Sequence, residues 1–254
     1  MGDEAVMIYS SDQMSRDNLV GRGDAVPNRE GWIVPVNKPA GMTSFEVIRR
    51  VRRATGVRKV GHGGTLDPFA EGVLLVGIGR GATRRLDTFL KGDKEYLARV
   101  ALGIVTDTYD PTGRIVERNE FEPPDEEAIV SLLQRFEGEI SQTPPPFSAL
   151  KVNGVRLYKL ARRGEDVKPK PRRVTLKELE LQRLTADGFE IRVVCSHGTY
   201  IRSLAHDIGR EIGCGAHLSR LVRTRVGEYT LDQAVELDDF LDEAVSASGG
   251  DRWK

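Results

Sequence analysis

The 254-residue sequence predicts a mixed α/β domain of the α+β type, with helices packed on a mixed sheet. Three observations lead there. Apolar segments of strand period and of helix period are interleaved without a strict βα repeat, which disfavours a doubly wound parallel sheet. A chain of this length, 39% hydrophobic and 30% charged, buries roughly 70 to 75% of its unfolded surface without needing a staple. Its two cysteines, Cys195 and Cys214, have neither Cys-x-x-Cys spacing nor clustered His partners, so a disulfide framework or a zinc site is not expected. Both read as buried or idle thiols.

Residues 1–29 are polar and aperiodic and are expected to form a mobile tail before a domain spanning 30–235. Trp32 to Val36 is a short apolar stretch that ends at Asn37-Lys38-Pro39-Ala40-Gly41. Thr43 followed three residues later by Glu46 has capping-box spacing, and Phe45, Ile48 and Val51 then recur on one helical face until Gly56. The segment GHGGTLDP, residues 61–68, is a shaped loop leading into the buried strand Val73 to Val76. A helix follows through Ala82, Leu86, Phe89 and Leu90. Tyr96 to Leu102 alternates as a strand, and Asp110-Pro111-Thr112-Gly113 is a turn before Arg114 to Glu117.

The clearest helix is 125–137, with Ile129, Leu132, Leu133 and Phe136 on one stripe, acidic residues at its start and Gly138 at its stop. Residues 141–173 form a long basic excursion with a short helix inside. Val174 to Leu184 and Phe189 to Cys195 are strands around the Ala186-Asp187-Gly188 turn. Thr199 is expected to cap a helix carrying Ile201, Leu204, Ala205, Ile208 and Ile212 and ended by Gly213. Segments Leu218 to Tyr229 and Ala234 to Val245 follow, and residues 236–254 read as a short acidic segment.

With 38 basic and 38 acidic residues the formal charge is zero, which argues at first against a polyanionic partner. The charge is segregated, however. Residues 31–100 hold 13 basic against 6 acidic side chains, and residues 141–173 hold 9 against 2. Residues 101–140 reverse the sign with 3 against 10. A Debye length of about 8 Å lets a basic groove act locally despite distant acidic segments. No run of about 18 apolar residues occurs and no basic-then-apolar leader opens the chain, so a cytoplasmic protein with no membrane partner is expected.

Asp67 is the first candidate for chemistry. Pro68 biases it away from helical backbone angles, and a Gly-rich loop beside an apolar strand displays its carboxylate. The same residue also reads as a plain turn former whose oxygens cap nearby N–H groups. Arg202 falls in the first turn of its helix, where the dipole disfavours a cation by roughly 0.3 to 1 kcal/mol, so a nearby anion is expected to offset the cost. A competing reading comes from Gly77-Ile78-Gly79-Arg80-Gly81-Ala82, which matches a dinucleotide-binding G-x-G-x-x-G/A after a strand, with Asp107 about 25 residues on. Against it, some 45 ordered residues precede the match and no βαβ series follows.

GWIVPVNKPAGMTS, KVGHGGTLDPFAEGVL, DKEYLARVALG and CSHGTYIRSLAHDIG occur in this order, and together they resemble the TruB family of tRNA pseudouridine synthases over residues 31 to 235. The resemblance implies a pseudouridine synthase fold, a largely antiparallel sheet with flanking helices and a basic thumb insertion at about 141–173. It implies isomerisation of uridine 55 in the T loop of tRNA, with the T arm as partner and no cofactor or metal. Asp67 matches the catalytic aspartate, and Arg202 the arginine that pairs with it. Tyr96 matches the aromatic that lies against the flipped uracil and assists proton transfer. His62 matches a histidine contacting the T loop, Tyr200 a substrate-contacting tyrosine, and Leu221 a position lining the uracil pocket. Lys38 and Pro39 belong to a mainly structural motif. Lys151, Arg156, Arg162 and Arg163 are the thumb residues expected to meet RNA. Family members commonly carry a PUA-type C-terminal domain, and the acidic segment 236–254 is read as holding none; a monomer with no obligate protein partner is expected.

Overall fold

The structure is a computed structural model that describes residues 31–148, 150–152, 154–157, 163 and 169–247. The expected N-terminal tail, the helix within the basic excursion and Arg162 lie outside the described residues. In chain order the first elements are β1 (Trp32–Lys38), α1 (Ser44–Thr55), β2 (Val60–Gly63), β3 (Glu71–Ile78), α2 (Arg80–Leu90) and β4 (Lys94–Leu102). After β5 (Ile104–Thr106) and β6 (Ile115–Arg118) come α3 (Glu126–Phe136), β7 (Gly138–Gln142), β8 (Lys151–Val152) and β9 (Val155–Arg156). The last are β10 (Arg172–Thr185), β11 (Gly188–Cys195), α4 (Ile201–Ile212), β12 (Ala216–Val226), β13 (Tyr229–Thr230), β14 (Val235–Glu236) and α5 (Leu237–Ala247). The chain divides into two compact units, Met1–Lys94 with Val222–Lys254, and Glu95–Leu221.

The first unit is centred on β3. On one edge β1 runs antiparallel, from Trp32 opposite Ile78 to Lys38 opposite Gly72. On the other edge β2 pairs antiparallel with the C-terminal half of β3, and β12 pairs parallel with its start, Val222 opposite Glu71. Alternation sorts the side chains by face. Val34, Val36, Leu74, Val76 and Ile78 pack with Val47, Ile48, Val51 and Ala54 of α1. Ile33, Val73 and Leu75 pack the other way with Ala82 and Leu86 of α2. Both faces are therefore covered, which is why Val73 to Val76 reads as continuous apolar sequence. β1 and β2 are antiparallel to β3, and its parallel neighbour β12 follows more than a hundred residues later, so the glycine run at the end of β3 opens no compact βαβ unit. Asp107, the acidic residue of the dinucleotide reading, is instead bonded to Arg114, accepting from its backbone N at 2.8 Å and its Nε at 3.1 Å.

α1 starts as expected, with the Thr43 hydroxyl accepting from Glu46 N at 3.0 Å, and ends at left-handed Gly56. Its buried stripe differs. Ser44, Val47, Ile48, Val51, Ala54 and Thr55 are buried, whereas Phe45 is 65% exposed, about a third of a turn round the helix from the stripe's centre. The acidic segment after 235 is α5, whose Leu237, Phe240 and Ala244 bury in the α1 core while Asp238, Asp239 and Asp242 face outward. β14 joins the same region, Val36 pairing in parallel with Val235.

In the second unit β4, β11, β10 and β7 lie side by side in that order. β10 and β11 form the expected hairpin, Thr185 opposite Gly188. A register shift between Leu176 and Glu178 explains why Leu176 and Leu179, three apart, are both buried on a strand whose side chains otherwise alternate. Phe189, Ile191, Val193 and Cys195 are buried together, as the period-2 pattern requires. β7, Gly138–Gln142, pairs antiparallel with the start of β10. α3 has Asp125 as its N-cap and buries Ile129 and Leu133. α4 does not take Thr199 as its cap: the N-cap is Tyr200, and the Thr199 hydroxyl donates to Ser196 O at 3.0 Å. Cys195 and Cys214 are both free and buried.

Candidate active site

In the first unit Asp67 sits between two residues whose backbones are tied down. Leu66 N donates to the Ser44 hydroxyl at 2.9 Å, and that hydroxyl donates to Leu66 O at 3.0 Å. Pro68 O accepts from Gly41 N at 2.8 Å and from Lys38 Nζ at 3.4 Å. Gly41 reaches that bond with a φ of 79°, a left-handed angle that favours glycine. Asp67 O closes a turn by accepting from Ala70 N at 3.1 Å. Leu66 and Ala70 are buried, so the half-buried Asp67 side chain is presented from a loop anchored on both sides.

Lys38 is fully buried, and its ammonium also donates to Pro39 O at 2.8 Å and Met42 O at 2.7 Å. Burial pushes its pKa down to about 8, against the opposing pull of Asp67 and Glu71. The expected structural role of the KPAG motif thus has a physical form: a buried cation collects the carbonyls of the loops around Asp67.

His62 is not in a loop; it lies on β2, opposite Val76. Burial and the nearby Arg223 guanidinium hold its pKa below the usual histidine range, so the ring is neutral at pH 7, and its buried Nδ1 has no hydrogen-bond partner among the described residues. Arg223 escaped the sequence reading. It is 2% exposed and ties β12 to this corner through Nε to Val73 O at 2.7 Å and Nη2 to Gly64 O at 3.1 Å. Gly72 has a φ of 102° and a Cβ there would lie 2.2 Å from Arg223 O, so only glycine permits this approach.

In the second unit Arg202 is 3% exposed at the start of α4. Nη1 donates to Thr108 O at 2.9 Å, Nη2 to Phe147 O at 3.0 Å, and the guanidinium meets the Asp110 carboxylate at 3.4 Å. The anion that the first-turn position calls for is thus present in Asp110, itself 5% exposed. Asp110 Oδ1 accepts from the Thr108 hydroxyl at 2.7 Å, Thr112 N at 2.9 Å and the Thr112 hydroxyl at 2.6 Å. The sequence marks Asp110 only as a turn residue before proline; the cue to more was the cation in a helix first turn. Tyr109, between Thr108 and Asp110, has a φ of 61°, a conformation that costs a non-glycine residue roughly 1 to 3 kcal/mol and persists only where its surroundings impose it.

Tyr96 on β4 is 8% exposed. Tyr200 carries the Arg172 guanidinium 4.6 Å from its ring centroid. Its backbone is locked to Gln142, Tyr200 N donating to Oε1 at 2.8 Å and Gln142 Nε2 donating to Tyr200 O at 3.0 Å. Leu221 on β12 is 5% exposed. Lys151 and Arg156 stand opposite one another in the β8–β9 pair, and Arg163 is exposed.

The arrangement offers a fixed carboxylate in one unit, and in the other a buried guanidinium with aromatic side chains. Among solved structures, a chain in the crystal structure of a Cbf5-Nop10-Gar1 complex is similar with a TM-score of 0.68 and 31% identity, the match covering 89% of this chain and 58% of that one. The fold is that of a pseudouridine synthase.

The family model described as TruB family pseudouridylate synthase (N terminal domain) matches residues 52–201, and that for the tRNA pseudouridylate synthase B C-terminal domain matches 202–252. A tRNA pseudouridine synthase B of Dehalococcoides mccartyi (strain CBDB1) is 45% identical across 85% of this chain and 71% of its own length. One of Thermobifida fusca (strain YX) is 47% identical across 85% and 79%. The chain belongs to the TruB family of pseudouridylate synthases.

Proposed function

We propose that this chain is a cytoplasmic, monomeric tRNA pseudouridine synthase that isomerises uridine 55 in the T loop, with Asp67 as nucleophile. Membership of the family supports the reaction. The observation that carries the residue assignment is the segment Leu66–Asp67–Pro68, whose outer residues are bonded to Ser44, Gly41 and Lys38, because a nucleophile gains most from being held in one geometry.

The chemistry is redox-neutral. The N1 glycosidic bond breaks, the uracil turns without leaving, a new bond forms at C5, the C5 proton is lost and N1 takes one up, so one carboxylate nucleophile suffices where a hydrolase needs two carboxyl groups. Arg202, ion-paired with the buried Asp110, is assigned the cation's part in the reaction, as the family resemblance implies. Extruding the base costs a few kcal/mol, which stacking on Tyr96 and insertion of the neutral His62 ring at the gap partly offset. Tyr200 and Leu221 contact the extruded nucleotide, and Lys151, Arg156, Arg162 and Arg163 bind phosphates of the T arm.

The test is an unmodified tRNA transcript treated with the purified protein and mapped for pseudouridine. Modification at position 55 is expected, and Asp67→Ala is expected to slow it by at least roughly 10⁴-fold. Wild-type rates in Asp67→Ala would remove the nucleophile assignment, and modification only at another position would remove the specificity. Replacing the four thumb cations should reduce the salt slope of binding by about 0.7 to 0.9 per lost phosphate contact; an unchanged slope takes them off the RNA.

A further inference from the structure

Arg202 and His206 lie four residues apart on α4 and so share a face of that helix. Both reach the same tripeptide. Arg202 holds the Thr108 carbonyl and the Asp110 carboxylate, while the His206 ring stacks on Tyr109 between them, centroids 3.9 Å apart and planes 8° from parallel. Tyr109 is the one non-glycine residue with positive φ among the described residues. Its backbone is fixed at both ends, N donating to Thr106 O at 3.2 Å and O accepting from Leu218 N at 3.0 Å. His206 Nδ1 is buried without a hydrogen-bond partner among the described residues, so stacking is the contact seen to orient the ring.

We propose that the Tyr109–His206 stack is a positioning clamp: it keeps Tyr109 in the left-handed conformation that turns the Thr108 carbonyl and the Asp110 carboxylate together onto the Arg202 guanidinium. Return of Tyr109 to negative φ rotates the Thr108–Tyr109 peptide and carries that carbonyl off Arg202. His206 and Tyr109 are then positioning residues, acting on the reaction only through Arg202, and this consequence rests on the functional reading of Arg202 given above.

Two measurements test the clamp. The first is exchange of the Arg202 Nε–H proton with water, followed by nitrogen-15 NMR on the intact chain, which reads the guanidinium whether or not RNA is modified. The second is the single-turnover rate of pseudouridine formation on an unmodified T-arm stem-loop, with stem-loop affinity measured alongside. His206→Ala should speed the exchange and slow the single-turnover rate about tenfold at unchanged stem-loop affinity. His206→Phe keeps a flat ring and should restore both to within about twofold of wild type. In a Tyr109→Gly background, where left-handed φ is free of strain, His206→Ala should add no more than about a twofold loss. Unchanged Arg202 exchange in His206→Ala overturns the clamp whatever the activity. So does a His206→Phe variant as impaired as His206→Ala. Faster exchange with a wild-type rate upholds the clamp and removes Arg202 from the reaction instead.

Discussion

The loop that carries Asp67 is held by backbone bonds from its neighbours, whereas the helix end that carries Arg202 is held by charge. Around Asp67 the fixing groups are a serine hydroxyl, a glycine N–H and a buried ammonium, each bonded to a main-chain atom. Around Arg202 they are a buried carboxylate and two carbonyls, and the carboxylate is in turn satisfied by Thr108 and Thr112. The first device spreads its strength over several modest bonds. The second rests on a buried ion pair, where loss of the carboxylate removes a charged partner in a poorly solvated site. An enzyme can thus fix two opposite charges by two mechanisms that fail differently.

The sharpest way to break the comparison is Asp110→Ala. It takes the buried Asp110 carboxylate away from the Arg202 guanidinium and is expected to lower unfolding free energy by about 3 to 5 kcal/mol in urea titration. Lys38→Met should cost less, about 1 to 3 kcal/mol, because it orphans carbonyls while the carboxylates that lose its charge, Asp67 and Glu71, are only half-buried. If Lys38→Met proved the more damaging, the contrast between the two regions would be reversed.

The same lysine sharpens the comparison through pH. Folded, it releases its proton near 8 instead of its ordinary 10.5. Between those values the unfolded chain binds the extra proton, so stability rises with pH across that window and is flat in this term below it. Urea midpoints of wild type and Lys38→Met measured from pH 7 to 10 should show the wild type gaining over the variant above about pH 8. The smallest effect is expected at Phe45, whose ring is 65% exposed on α1 beside the Asp67 loop. Phe45→Ser should shift stability by no more than about 0.5 kcal/mol by the same titration.

Local signals made much of this legible. The Thr43 and Glu46 pair located α1, the 3.6-residue stripe located α3, and the Asp187-Gly188 turn located the β10–β11 hairpin. Asp67 could be chosen from loop chemistry and Arg202 from its awkward position against a helix dipole. What stayed hidden depends on partners distant in sequence. β7 has no apolar alternation, and its Gln142 is buried because it bonds the backbone of Tyr200. β2 is half glycine and reads as loop until β3 pairs with it. Asp110 and Arg223 look like turn and surface residues, since nothing near them in sequence announces Arg202 or the carbonyls of Val73 and Gly64. Buried polar residues are the least readable class, because their place is set by a bond and not by a periodicity.

The pairing of β1 with β14 carries a consequence for biosynthesis. Val36 stands beside Val235, and Asn37 donates to Glu236 across 199 positions of sequence. Residues 95–221 form a compact unit of their own and leave the ribosome before this partner strand does. At roughly 5 to 20 residues per second, β1 and α1 wait about 10 to 40 s for β14 and α5, so the segment that begins first is completed last. During that interval the apolar face of α1 that α5 will cover is open, and chaperone contacts on the nascent chain should concentrate there.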